Sequence, residues 1–468
     1  MRRISRRHRI TAFLAVLALV VMACGGDEEA PEAAAGETEE APAEEAPAET
    51  EEAPDEAPDE APAEEPEEIA IGTGVTEEPC PDAVNEDNGC IYLGVLSDLT
   101  EGPFAALAVP IVAGQQAFFD RVNENGGIGG FDINISEYTR DTRYDPQEHS
   151  SAYRQIEPNI LMLAQSLGTP QTEAILPDMD ADDVVGMPAT WWSGWDFPET
   201  DNNLILNSGY SYCMESMIGL DWMNENAGEI NSVLAVGYPG DFGGDSAAGA
   251  QAWAEANDAE FLGFVETAPN AIVGSQDSAV GQIVGSGADI VVIATGPAEM
   301  AEIVGGAAAN DFTSPFLGSV PTWNNALLQT AAAPAIEALF TLVGPWENFE
   351  GESEAHQAMQ EALDGELPAN DGFTFGWIWS YPVKAVLEQA AANGDLTREG
   401  VRAAAEGLVV DYEGALPERT YGDPAGAPRE GVISQPNPDA ALGLDTIQTG
   451  VTGPTAQNYD YSSPCASS

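Results

Sequence analysis

Two loops in this chain carry side chains placed for chemistry. Gln165-Ser166-Leu167-Gly168-Thr169-Pro170 offers a hydroxyl and free backbone N–H groups at the start of a helix. Such a start is a ready anion site, because its first amides and its dipole face outward. Ser166 can equally serve as a plain helix cap. Met187-Pro188-Ala189-Thr190-Trp191-Trp192-Ser193-Gly194-Trp195 packs three tryptophans into five residues. Rings at that density suit the wall of an apolar or aromatic site, with the remainder packing as lid or core. Catalytic constellations are missing. There is no GxGxxG, P-loop, GxSxG or HExxH motif. Past the basic leader only His149 and His356 remain, too few for a histidine metal cluster or a His-based triad. Asp178, Asp180 and Asp182 imitate the opening of a calcium loop, but Asp183 stands where glycine is required and Ala189 where the bidentate glutamate is required. These residues read as an acidic surface turn. The expectation is binding without catalysis, with no cofactor and no metal. The rival from another class is a carboxylate-based hydrolase, which needs a cleft acid pair of raised pKa.

The elements that must position these loops can be read from Cys90 onward. Ile91–Leu96 is a short apolar run, suited to a buried strand. Phe104 to Asn125 carries an apolar stripe at helical spacing through Leu107, Ile111, Phe118, Phe119 and Val122. Asn125-Gly126-Gly127 supplies the stop, and Phe131–Ser136 alternates as a second strand. Strand, helix and strand in that order imply a right-handed crossover and a parallel sheet. Further strands are expected at 160–164, 184–187, 232–237, 261–265, 290–294, 316–317 and 339–343. Helices are expected between them, and a long one over 375–392. Thr169-Pro170 reads as a hydroxyl cap followed by a proline at the first helical position. The folded part, about 400 residues, exceeds one core. The expected class is α/β, with two doubly wound parallel-sheet lobes joined by a hinge. Residues 71–207 and 346–430 form the first lobe, 208–345 and 431–468 the second. In open parallel sheets ligands bind at the carboxyl ends of strands, which is where both loops lie.

The N-terminus reads as an export address. Five arginines precede an apolar run from Ile10 to Ala23, shorter than the ~20 residues of a membrane span. Residues 1–23 are therefore expected to be a signal peptide. Residues 24–70 are acidic and proline-rich. The stretch from Gly25 to Glu68 has no aromatic residue and no base, so it cannot bury enough apolar surface to fold and should act as an extended linker. The whole chain carries a formal charge of −65; without the five leader arginines, nine bases face 79 acids, giving −70. No basic patch exists for nucleic acid. The acid excess fits a surface adapted to salt, or a genome that avoids lysine codons. Four cysteines follow Cys24, with no CxxC. They allow three pairings. Cys80–Cys90 with Cys213–Cys465 is the expected one, the first pinning the lead-in to strand one and the second the C-terminal tail; free thiols are the alternative.

GVLSDLTEGPFA, NENGGIGG and DTRYDPQ, in that order and spacing, resemble the opening of the type I periplasmic binding proteins of the branched-chain amino-acid class, the substrate-binding lipoproteins of ABC importers. The resemblance spans roughly 91–444. It implies a monomeric, extracytoplasmic receptor that closes on a small solute and delivers it to a membrane permease. A ligand sensor docked on a membrane signalling protein is the second reading. Val21-Met22-Ala23-Cys24 resembles a lipobox, which implies diacylation of Cys24 and a membrane anchor. Carried over residue by residue, the family's ligand contacts fall on Ser166, Ala189 and Thr190, with Phe242 at a stacking aromatic and Phe104 either near another or buried under the first helix; Leu167 and Trp191, in the same loops, are further candidate contacts. One departure stands out. The turn Leu317-Gly318-Ser319-Val320-Pro321-Thr322-Trp323, with Trp323 as a further candidate contact, has no acid to pair a ligand ammonium, and a buried ammonium without a partner is costly. Either Asp241 or Glu299 takes that role, or the ligand lacks an α-amino group.

Overall fold

The computed structural model describes residues 69–467. The leader, Cys24 and the acidic segment through residue 68 lie outside the described residues. Two sheets dominate. The first is organised around Gly89–Ser97, which is buried along nearly its whole length. It pairs in parallel with Phe131–Asp141 and with Met162–Ser166, and the latter pairs with Gly186–Pro188. Val75–Thr76 adds antiparallel against its start, and the Cys80–Cys90 disulfide ties that lead-in down. The third strand begins later than its apolar run suggests. Glu157–Asn159 forms a 3-10 turn, and Arg398 takes the carbonyls of Glu157 and Ile160, so the ladder starts only at Met162.

The second sheet has seven strands. Glu260–Glu266, Ser232–Gly237, Ile290–Ala294, Phe316–Ser319 and Phe340–Gly344 run parallel. Gly431–Pro436 and Leu444–Val451 extend it as an antiparallel hairpin, so the tail completes this sheet's edge. Helices cover both faces of each sheet, as the doubly wound pattern requires, and separate buried clusters mark the two faces.

Helices Ala105–Glu124 and Gly372–Ala392 pack against each other. Gly114 and Gly376 permit the close approach: a Cβ on Gly376 would lie 1.8 Å from the Ile111 carbonyl oxygen, and one on Gly114 2.0 Å from that of Phe373. Phe118 meets Trp377 and Tyr381 edge-on at 5.4 and 4.9 Å. This pairing aims Leu107, Ile111, Phe375 and Trp379 the same way.

The chain crosses between the sheets three times. Ile205 still bridges Gly186 at the edge of the first sheet. Asn207–Ser211 then leads to helix Tyr212–Asn226, which packs on the second sheet. Pro345-Trp346 brings the chain back, and the segment after Arg419–Thr420 crosses again to Gly431. The first two crossings touch: a Cβ on Gly209, whose φ is +84°, would sit 3.2 Å from Pro345 Cβ. Arg419 donates to the Gly209 carbonyl, Tyr421 to that of Asn207 and Trp191 to that of Ser208. The crossing backbone is thus held by side chains at each step.

Candidate functional site

The carboxyl ends of both sheets face one cavity. Its walls come from the start of helix Ala105–Glu124, the loops after Met162–Ser166 and Gly186–Pro188, the starts of Tyr212–Asn226 and Asp241–Ala256, and helix Gly372–Ala392. Parallel strands end there because their crossover helices all return on the amino side, leaving loops and helix starts at the mouth. Phe104, Leu167, Ala189, Thr190, Trp191 and Phe242 line this cavity together. Ser166 and Trp323 do not.

Ser166 is fully buried. Its hydroxyl lies 3.0 Å from His149 Nε2 and 2.7 Å from Thr172 Oγ1, and that polar knot holds the loop from behind. Thr169 also departs from expectation. Gly168 is the helix's N-cap, with no side-chain cap bond, and the Thr169 hydroxyl donates instead to Thr190 Oγ1 at 2.9 Å. Trp195 Nε1 donates to the same oxygen at 3.0 Å. Thr190 is therefore oriented by two donors and keeps its own proton to give. Trp323 stacks on Phe340 at 6.1 Å and lines a neighbouring cavity, which shares Leu107 and Phe375 with the first.

Of the three tryptophans, Trp191 faces the cavity. It lies 5.3 Å from Trp379, 5.5 Å from Trp346 and 5.8 Å from Tyr212, ring to ring. Trp192 and Trp195 pack into the core beneath Leu96 and Leu163. Phe242 stands 4.7 Å from Tyr212, and Phe104 stands 4.9 Å from Tyr144. The sequence alone did not single out Tyr144, Tyr212, Phe375 or Trp379. Phe375 and Trp379 sit at core-like spacing on a long apolar helix, which carries no signal that one stripe faces a cavity. Tyr144 holds a positive φ of 59°, a conformation unusual for a bulky residue, and no sequence pattern announces it.

The acids divide cleanly. Glu299 accepts from Tyr238 Oη at 2.9 Å and from Asn270 N at 2.8 Å, so it ties together the loops that follow Ser232–Gly237 and Glu260–Glu266. Among the described residues, Asp241 is the one charged residue on the cavity wall, and its Oδ2 has no hydrogen-bond partner there. Burial raises its pKa to about 6, with the nearby Thr169 hydroxyl pulling the other way. The space enclosed is about 30 Å³ at the radius of a water molecule, room for a water or two.

The loop presenting Ala189–Trp191 is fastened from the other side. Asp245, fully buried, accepts from Ser193 N and Oγ and from Cys213 N. Trp192 donates to the Ala466 carbonyl, and Cys465 is bonded to Cys213.

Buried acids give the fold a pH signature. Burial raises Glu215 and Asp245 to about 8, and Asp201 and Asp371 to about 7. A carboxyl whose pKa rises on folding holds a proton that the unfolded chain has released, so stability falls as pH climbs toward the folded value. His149, lowered to about 3 by burial, works oppositely, but only below its ordinary pKa near 6.5. Above pH 6.5 this opposition from His149 and His356, both lowered by burial, fades and the acids dominate. Raising the pH from 6.5 to 8 should cost on the order of 3 kcal/mol from Glu215 and Asp245. Urea midpoints at the two pH values check this; an unchanged or higher midpoint at pH 8 would contradict it.

A model of the periplasmic binding protein family matches residues 91–433. Among solved structures, the chain resembles a fatty acid ABC transporter substrate-binding protein from Thermomonospora curvata, with 26% identity over 84% of this chain and 97% of the other, at a TM-score of 0.74. It also resembles a branched-chain amino acid ABC transporter from Thermus thermophilus with bound valine (16% identity, 80% and 99% covered, TM-score 0.66). A solute-binding protein from R. palustris in complex with benzoate is similar too (15% identity, 78% and 97% covered, TM-score 0.61). No curated protein matches the sequence.

Proposed function

The chain belongs to the periplasmic binding protein family, and from that premise we propose that it is an extracytoplasmic solute receptor that captures a small organic ligand and delivers it to an ABC importer in the membrane. The observation that carries this reading is a cavity where the carboxyl ends of both sheets meet, walled by rings and helix starts. Among the described residues that wall holds one acid, Asp241, and so no catalytic carboxylate pair. The relatives bind valine, benzoate and, by name, fatty acids, and the mostly apolar wall here suits a ligand with an apolar or aromatic body.

In this reading the first lobe is 71–207 with 346–430 and the second is 208–345 with 431–468. They open about the three crossings, and closure brings Thr190 and Phe242 onto the ligand. The protein acts as a monomer. Cleavage before Cys24 and acylation of its thiol hold it at the cell membrane, with the acidic segment as a tether; a Cys24→Ala variant recovered in the medium would support that anchor.

A thermal-shift panel of amino acids, aromatic acids, amides, amines and fatty acids tests the capture. A ligand at 100 times its Kd should stabilise the fold by about 2.7 kcal/mol, a rise of several degrees in Tm. The rings around Trp191 should report the same event as a change in tryptophan fluorescence. A panel in which no compound shifts either signal would overturn the reading.

A further inference from the structure

We propose that the cavity is built for an organic cation: an ammonium or quaternary ammonium head beside Asp241, with the ligand's apolar body against the rings. The proposal rests on the solute-capture reading and sharpens it. Asp241 supplies the first reason. It is 5% exposed, it lines the cavity, and one of its oxygens has no donor. A buried acceptor left unmet is costly, and a ligand cation or N–H beside it removes that cost.

The rings supply the second. Seven of the fifteen lining residues are aromatic. Trp191, Trp379, Tyr212 and Phe242 line the same cavity as the carboxylate. Ring faces attract a cation through their quadrupole, tryptophan most strongly, and desolvation strengthens the attraction.

The third reason lies in where the chain keeps its own cations. Nine bases follow the leader, all within the described residues. Seven are paired with carboxylates: Arg121, Arg143, Arg154, Lys384, Arg398, Arg402 and Arg419. Arg140 donates to the carbonyls of Glu137 and Thr139, and Arg429 to those of Ala456, Gln457 and Tyr459. None lines this cavity or the neighbouring one, whose only charged residue is Asp371. A carboxylate ligand would meet an acid and no base. The large acid excess of the whole chain adds a field that draws cations in and turns anions away.

The opposing feature is the start of helix Thr169–Ala181, whose amides favour an anion. Matched probes decide between the two. The mature chain would be titrated calorimetrically at pH 7.5 with 2-phenylethylammonium, 2-phenylethanol and phenylacetate. The ammonium should bind at least tenfold more tightly than the alcohol, and phenylacetate most weakly. Asp241→Asn should bring the ammonium-to-alcohol ratio near one, while Asp241→Glu should retain a preference. Phenylacetate binding as tightly as the ammonium, or an undiminished ratio in Asp241→Asn, overturns the cation and leaves solute capture standing. If none of the three binds while another compound of the thermal panel does, the cation assignment again falls alone. If nothing binds at all, both readings fall.

Discussion

Replacing Arg419 by methionine should destabilise the protein by about 3–5 kcal/mol, the usual cost of removing one partner from a buried ion pair. Arg419 and Asp196 are both buried, and their guanidinium and carboxylate are in direct contact. Arg419 also donates to the Gly209 carbonyl, while Asp196 accepts from Tyr461 Oη at 2.7 Å. The pair therefore joins the first crossing, the loop after Gly186–Pro188 and the C-terminal tail. Without the arginine, Asp196 is an uncompensated charge in a low-dielectric interior, and the Gly209 carbonyl loses its donor. Changing both partners, in Arg419→Met with Asp196→Leu, should recover much of the loss, because two charges leave together and apolar volume replaces them. Urea unfolding of the two variants measures the difference. A single variant within 1 kcal/mol of the parent would show that the pair is solvated and that the hinge is held elsewhere.

Removing the Cys213–Cys465 disulfide should cost more than removing Cys80–Cys90. The first bond closes a separation of 252 residues, the second a separation of 10. The chain entropy that a crosslink removes from the unfolded state grows with the logarithm of loop length, about 5 kcal/mol for the long loop and roughly half that for the short one. The long bond has a second consequence. Cys465 N donates to Ser193 Oγ, and Trp192 donates to Ala466, so the bond also anchors the tail that backs the Ala189–Trp191 loop. Cys213→Ser/Cys465→Ser should therefore weaken ligand binding as well as lower Tm, whereas Cys80→Ser/Cys90→Ser should lower Tm alone. Melting curves with and without a bound ligand separate the two. A larger Tm loss from the short bond would refute the ranking.

Much of the molecule was legible before any coordinates. Strands at Ser232–Gly237 and Ile290–Ala294 fall where their apolar runs lie, because a fully buried parallel strand has to be apolar on both faces. Both disulfides join the cysteines expected from spacing. Six of the eight residues singled out as ligand contacts share one cavity wall. Boundaries moved where a side chain overruled local pattern, as when Arg398 captured the carbonyls of Glu157 and Ile160.

What the sequence determined alone is the sheet-and-helix alternation, the acid excess and the absence of catalytic motifs. These depend on residue type and spacing along the chain. The tertiary structure alone decided that Ser166 turns inward to His149, that Trp323 packs on Phe340, and that Phe375 and Trp379 reach the cavity from a helix some 200 residues away in sequence from the loops they face. It also left Asp241, of all the acids, on the wall with an oxygen unmet. Those outcomes follow from which surfaces meet when two separately wound sheets are folded against each other, and spacing within one segment holds no record of its distant neighbours.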